Sequence, residues 1–341
     1  MVSQADKVVK ALQKPSSYDE DVKEVRLLQT HISFIFLTGK YVYKIKKPVD
    51  FEFLNFTTLD RRKFFCEEEV RLNRRLCGDM YVGVVPITEQ NGQIRINGGG
   101  EIIEYAVKTK ELPQDAMMSV LLEKNKVGEK EINRIAEILV DFHIKAETYK
   151  KRDDLGSLKT VSFNALQNFD QTRQLRGTLI DAETFDFIEE GTKRFMKSNT
   201  TLFNKRLEEG KVKETHGDVH SGNIFILSTD EIYIFDAIEF NKSFTVYDVA
   251  AEVAFLAMDL DFHDRHDLAG YFIEKYVKYS GDKELLELLS FYECYRAYVR
   301  AKVNSFRLSD PNISKEEKRG AEELTKKYVA LAYKYAMELN S

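Results

Sequence analysis

Apolar and polar positions divide the chain into an early strand-rich part and a longer helical part. Val2 to Gln13 is spaced as a short helix that stops near Pro15. Val25 to Leu28, Ile32 to Leu37 and Lys40 to Lys46 are rich in β-branched and aromatic residues. Thr38-Gly39 is turn chemistry between the last two, so three antiparallel strands are expected. Thr58 to Leu76 reads as a helix. Val84 to Thr88 and Gln93 to Ile96 flank Asn91-Gly92, a hairpin signal, and after the turn Gly98-Gly99-Gly100 comes a last strand, Glu101 to Val107. Glu129 to Glu147 places Ile132, Ile135, Ile138, Leu139 and Phe142 at helical spacing. His143 ends that face and reads as a packed structural residue. Leu155 to Lys213 is helical and charged. Ile224 to Leu227 is apolar, Ser228-Thr229-Asp230 is a turn, and Glu231 to Phe235 alternates before Asp236, which predicts a short hairpin.

Composition narrows the setting. The 341 residues suffice for two lobes, and a hydrophobic content of 43% supplies a large core. A net charge of −5 argues against a general nucleic-acid binder. No run of 18 apolar residues occurs, so no membrane partner is expected, and Met1 to Lys7 lacks the apolar centre of a signal peptide. Cys66, Cys77 and Cys294 are scattered and odd in number, which suits a reducing, cytoplasmic setting. Nothing in the sequence sets an oligomeric state.

The chemistry concentrates in His216-Gly217-Asp218-Val219-His220-Ser221-Gly222-Asn223, followed by Ile234-Phe235-Asp236. Phosphoryl transfer from a nucleotide needs a carboxylate to orient the attacking hydroxyl and oxygen ligands to hold Mg²⁺ on the phosphates. Asp218 fits the first role. The predicted hairpin would return Asp236 to the neighbourhood of Asn223, so that an amide oxygen and a carboxylate converge as a hard cation requires. A rival chemistry uses His216, Asp218 and His220 as metal ligands of a hydrolase. Alternation on a strand would put all three on one face, but Gly217 and Gly222 suit a tight loop better. Gly98-Gly99-Gly100 is not a phosphate loop, because it lacks the Lys-Ser/Thr ending and precedes a strand.

The loop matches the pattern H-x-D-x-x-x-x-N, and His-Gly-Asp in place of His-Arg-Asp resembles the aminoglycoside phosphotransferase and choline kinase branch of the kinase-like fold. Lys44 to Val49, Glu104 to Lys108, His216 to His220 and Phe235 to Asn241 look like a prokaryotic subgroup of that superfamily. The resemblance implies an α+β, two-lobed protein-kinase-like fold. Residues 1–106 would form a small antiparallel-sheet N-lobe with one helix, and residues 107–341 a larger, mostly helical C-lobe. Lys44 would hold the phosphates of ATP or GTP, with Lys46 on the same strand face as the alternative. Glu69 would position that lysine, with Glu68 as the alternative. Glu104-Tyr105-Ala106 would be the hinge that meets adenine, and Gln29 to Ser33, which has no glycine, would cover the phosphates. Asn223 and Asp236 would hold Mg²⁺, Asp218 would orient the acceptor hydroxyl, and Asp248 would brace the loop from within. A helical insertion at 155–213 would help form the acceptor pocket.

The acceptor itself is not inherited, since these folds serve many substrates. Glu239, Asp259, Asp261 and Asp264 form an acidic set that favours an amino-sugar or other amine-bearing alcohol. Arg296 and Arg300, four apart on one helix face, favour an anionic acceptor instead. The expected function is therefore an ATP-dependent small-molecule phosphotransferase. The alternatives are a non-catalytic nucleotide-binding regulator of the same fold and the metallohydrolase.

Overall fold

The computed structural model describes residues 3–51, 54–149, 154–310 and 313–339. It divides into two compact units. The first is Met1–Met117 with Glu231–Asn241, and the second is Met118–Asp230 with Lys242–Ser341.

In the first unit, α1 (Gln4–Leu12) is capped by Ser3 and precedes β1 (Arg26–Gln29), β2 (Ser33–Leu37) and β3 (Tyr41–Lys46). A two-residue pair, β4 (Asp50–Phe51) and β5 (Leu54–Asn55), leads to α2 (Leu59–Cys77), which Thr58 caps by accepting from the Arg61 N–H. Then come β6 (Tyr81–Gln90), β7 (Gln93–Ile96) and β8 (Glu101–Lys110). Six of these strands make an antiparallel sheet in the order β1-β2-β3-β8-β6-β7. Strand periodicity explains what each face does. Tyr43 and Ile45 pack with Val8, Leu12 and Phe36 beneath α1. Lys44 and Lys46 point to the other face, where α2 presents a buried stripe of Arg62, Cys66, Glu69, Asn73 and Cys77.

In the second unit, α3 (Met118–Glu123) and α4 (Glu129–Lys145) are followed by α5 (Leu158–Thr172), α6 (Ala182–Ser198) and α7 (Thr200–Glu208). Strands β9 (Val212–Glu214) and β10 (Ile224–Ser228) flank the candidate loop. Strand β11 (Glu231–Ile234) belongs to the first unit. Strand β12 (Val246–Asp248) pairs antiparallel with β9 and runs into α8 (Val249–Phe262), which is buried along every residue to Leu260. Helices α9 (His266–Ser280), α10 (Leu286–Phe306) and α11 (Lys315–Glu338) complete the unit. Phe169, Phe185, Phe255, Tyr298 and Tyr335 centre its core. No helix among the described residues is long and apolar enough to cross a membrane.

The architecture is the expected α+β one, with differences in detail. Strand β8 runs on to Lys110, because Val107 and Thr109 keep their pairing with Lys44 and Val42, so a lobe boundary at residue 106 would cut a strand. The first unit extends to Met117 and regains Glu231–Asn241. The proposed hinge residues Glu104 to Ala106 lie in mid-strand opposite Ile87 to Val85. Glu104 turns its carboxylate onto the Arg62 Nε at 2.8 Å and Ala106 is fully buried, so the hinge assignment is corrected. The connection between the units begins after β8.

Candidate active site

In the first unit, two strand lysines meet three acids. Lys44 Nζ lies 3.0 Å from Glu69 Oε1 and 2.5 Å from Asp236 Oδ1. Lys46 Nζ donates to Glu69 Oε2 at 2.8 Å and also to Glu239. Both lysines therefore share Glu69. Glu68 instead pairs with Arg71 on the helix surface at 2.9 Å. Burial alone would raise the Glu69 carboxyl, but the two ammonium groups bring it down to about 2. Burial would likewise lower Lys44, and the charges of Asp236 and Glu69 hold it well above its ordinary value.

Helix α2 also fixes the segment around Asp236. The Cys77 thiol donates to the Ile234 carbonyl at 2.9 Å, and Asn73 Oδ1 accepts from the Ala237 N–H at 2.9 Å. Asp236 has φ +64°, a left-handed conformation uncommon outside glycine. Its side chain remains 44% exposed. A buried framework thus holds a strained, accessible carboxylate, a pattern frequent where function demands the geometry.

In the second unit, the loop 216–223 folds on itself and is gripped by α8 and α10. Gly217 adopts φ +88°. Its N–H donates to Glu252 Oε1 at 2.7 Å, and its carbonyl accepts from Arg296 Nη1 at 3.1 Å. The Ser221 N–H donates to Asp259 Oδ2 at 2.7 Å. Asn223 Nδ2 donates to the Asp218 carbonyl at 3.0 Å and to Asp218 Oδ2 at 2.9 Å, which turns the Asn223 amide oxygen away from Asp218. Asp218 is 32% exposed on its side chain. Burial would raise its carboxyl, but His220, then Arg300 and His216, keep it well below the usual carboxylate range. It is a ready hydrogen-bond acceptor for a hydroxyl proton. His216 Nδ1 and His220 Nδ1 accept from the Asp218 and Gly222 N–H groups at 3.3 and 3.1 Å. These rings serve the loop, which is not the strand that the hydrolase reading required. Among the described residues, no group of three or more His, Cys, Asp or Glu could hold a metal ion.

Several assigned residues have other occupations. Asp259 is buried and committed to Ser221. Asp261 accepts from the Tyr335 hydroxyl at 2.6 Å and meets His266 Nδ1 at 2.7 Å. Glu239 is committed to Lys46. Asp264 is exposed, with Lys327 at 3.8 Å. The acidic set therefore does not form a receptor for an amine. Arg296 is also buried, with its guanidinium over the Tyr247 and Phe255 rings, and it donates to the Gly217 carbonyl of the loop and the Ala251 carbonyl of α8. Arg300 keeps its electrostatic hold on Asp218 and lies over the Tyr328 ring at 5.6 Å.

Other contacts emerge only from the fold. Glu252 Oε2 meets His143 Nε2 at 2.7 Å, and His143 Nδ1 meets the Tyr276 hydroxyl at 2.7 Å, which gives His143 its structural place. The expected brace Asp248 takes a bidentate grip from the fully buried Arg206 of α7, which also binds Asp282. A signal for Glu252 and Asp259 is present in the sequence, since with Asp261 they are the three acids of an otherwise apolar helix.

No family profile matches the chain. Uncharacterized proteins of Mycobacterium bovis and Mycobacterium tuberculosis are each 31% identical over 291 residues, which is 85% of this chain and 56% of theirs. The chain thus spans little more than half the length of the curated relatives it matches. Among solved structures, the GDP complex of aminoglycoside 2'-phosphotransferase-IIIa superposes with a TM-score of 0.56 at 12% identity, covering 95% of this chain and 99% of that one. The amicoumacin kinase hAmiN, in complex with AMP-PNP, Ca²⁺ and Ami, gives 0.55 at 11% identity, with 96% and 93% covered. Choline kinase LicA from Streptococcus pneumoniae gives 0.53 at 13% identity, with 96% and 99% covered. The chain has the fold of these small-molecule kinases.

Proposed function

We propose that the chain is a small-molecule kinase that moves the γ-phosphoryl group of ATP, or of GTP, to a hydroxyl of its acceptor. The observation that carries this reading is the pairing of Lys44 with Glu69 and Asp236 on a kinase-type sheet, in a chain whose other unit holds Asp218 against Asn223. Lys44 binds the phosphates and Glu69 keeps it in place. Asp218 accepts the hydrogen bond of the acceptor hydroxyl and receives its proton as the phosphoryl group transfers. Asp236 and the Asn223 amide oxygen are oxygen donors of the kind Mg²⁺ prefers, and the bound cation would neutralise phosphate charge. The nucleotides and Ca²⁺ in the solved relatives support this choice of cofactors. Positioning and charge neutralisation supply the rate enhancement.

The acceptor is a small-molecule alcohol. The preference for an amine-bearing one loses its footing with Asp259 and Asp261 turned into the protein, so amine-bearing, neutral and anionic alcohols all belong in the test. A cytoplasmic setting, without nucleic-acid or membrane partners, agrees with three buried free thiols and the need for nucleotide. The test is acceptor-dependent ATP consumption across a panel of amino-sugars, aminoglycosides, amino alcohols, sugars and sugar acids. Consumption stimulated by one class establishes the reading. Nucleotide binding with no stimulation by any class would favour the non-catalytic regulator.

A further inference from the structure

We infer that Lys46 and Glu239 are positioning residues for Asp236: their ion pair fastens the segment that bears Asp236 to a central strand of the sheet, and it keeps Glu69 compensated when Lys44 turns to a nucleotide. The inference rests on the kinase reading above.

Three observations carry it. The first is that one lysine would suffice to hold a helix glutamate, yet two share Glu69, one on each carboxylate oxygen. The second is access. Lys44 is 18% exposed on its side chain, whereas Lys46 is 1% exposed and closed in by the Phe56 ring at 5.0 Å. Only Lys44 can exchange a protein partner for a phosphate. The third is the position of the second partner. Glu239 lies three residues beyond Asp236, and its side chain is 4% exposed. Asp236, held at φ +64°, is thus flanked on both sides by the α2 contacts to Ile234 and Ala237, and two residues past Ala237 the segment is tied again by Lys46.

The charges follow the same logic. Lys44 and Lys46 face Glu69, Glu239 and Asp236 in one group, buried except at the accessible Asp236. When Lys44 leaves Asp236 for a phosphate, Asp236 becomes available to a cation. Glu69 and Glu239 then still have an ammonium between them. A buried carboxylate stripped of its partner is costly, so without Lys46 the two glutamates would draw Lys44 back from the nucleotide.

The test is calorimetric titration of the full chain with AMP-PNP over a range of Mg²⁺ concentrations, accompanied by thermal denaturation. Glu239→Ala and Lys46→Met are each expected to raise the Mg²⁺ concentration for half-maximal nucleotide binding by roughly 10- to 100-fold, the usual scale for losing a residue that orients a metal ligand. Glu239→Gln, which keeps an acceptor for the lysine, should recover most of that loss. The double variant should lose less than the two single losses combined, because both remove one contact. Should Lys46→Met fail to fold, the two Glu239 variants carry the comparison. A pair with a merely structural role would lower the melting temperature and leave the Mg²⁺ requirement of the folded protein unchanged. That result overturns the inference and leaves the kinase reading standing. A wild-type chain that binds no nucleotide at any Mg²⁺ concentration removes the kinase reading, and the inference with it.

Discussion

Arg206→Met tests how the second unit builds its loop. Arg206 has no exposed side-chain surface. It donates to Asp248 at 2.6 and 2.8 Å and to Asp282 at 3.0 Å twice, four charge-assisted bonds from one guanidinium. Asp248 starts α8, whose Glu252 and Asp259 grip the loop. Methionine keeps the length and the apolar stem but leaves two buried carboxylates facing each other's field. Asp282 retains Lys211 at 3.4 Å, and Asp248 retains the Ala250 N–H at 2.9 Å. Four such bonds at a net of about 1.5–3 kcal/mol each would total roughly 6–12 kcal/mol if they were additive. The four bonds share one guanidinium and are not additive, so the loss is set at about 3–5 kcal/mol, the range for breaking a buried pair from one side. For a unit of this size that lowers the melting temperature by roughly 6–20 °C. Calorimetric scans of wild type, Arg206→Met and Lys205→Met measure it. Lys205 is 52% exposed and serves as the surface control, worth at most about 1 kcal/mol. Adding Asp248→Asn to Arg206→Met should return part of the loss, because one uncompensated charge disappears. If Arg206→Met melts with the surface control, Arg206, Asp248 and Asp282 are not a brace for the start of α8.

Asp236→Ala should abolish Mg²⁺-dependent nucleotide binding in calorimetry; wild-type affinity in this variant would remove Asp236 from the cation site. Glu252→Gln should lower turnover by about tenfold or more with little change in nucleotide KM, because the Gly217 N–H and His143 lose their shared carboxylate and the loop loses its register; steady-state kinetics resolve the two parameters. Glu293 on α10 is raised by burial, and further by Asp261 and Glu338, from 4.5 to about 8. A carboxyl that is protonated in the folded state and ionised in the unfolded one stabilises the fold at low pH. That contribution is lost as pH rises from about 4.5 to about 8. Glu293→Gln should therefore melt higher than wild type at pH 8 and close to it at pH 5, and an equal shift at both values would contradict the sign.

The sheet and the loop were legible because their signals are local. Thr38-Gly39 and Asn91-Gly92 fix hairpins whatever surrounds them, and the spacing from Asp218 to Asn223 is set within one turn of chain. Lys44 and Lys46 also read correctly as one strand face, but exposure cannot be read from alternation. As a result Lys46 looked like a spare phosphate ligand, when it is sealed beneath α2 and paired with a glutamate 193 residues away. The acidic set misled for a related reason. A run of acids suggests a solvated or ligand-facing edge, yet Asp259 lies on a helix buried on all sides and answers a backbone N–H of the loop. Arg296 failed likewise, since α10 hides that face against α8 and the loop. The hinge was placed too early because nothing in Glu104-Tyr105-Ala106 marks a strand end, and the pairing with β3 continues beyond it. What the sequence could not carry is long-range charge compensation, which exists only after the chain has folded.

In the proposed reaction Asp218 orients an acceptor hydroxyl for phosphoryl transfer. The most direct measurement is acceptor-dependent ATP consumption by wild type and Asp218→Asn, with Mg-ATP affinity measured on the same preparations. Asp218→Asn is expected to bind Mg-ATP as wild type does and to turn over slower by a factor on the order of 10²–10⁴, the scale for losing a positioned base. Equal turnover in the two proteins would contradict it.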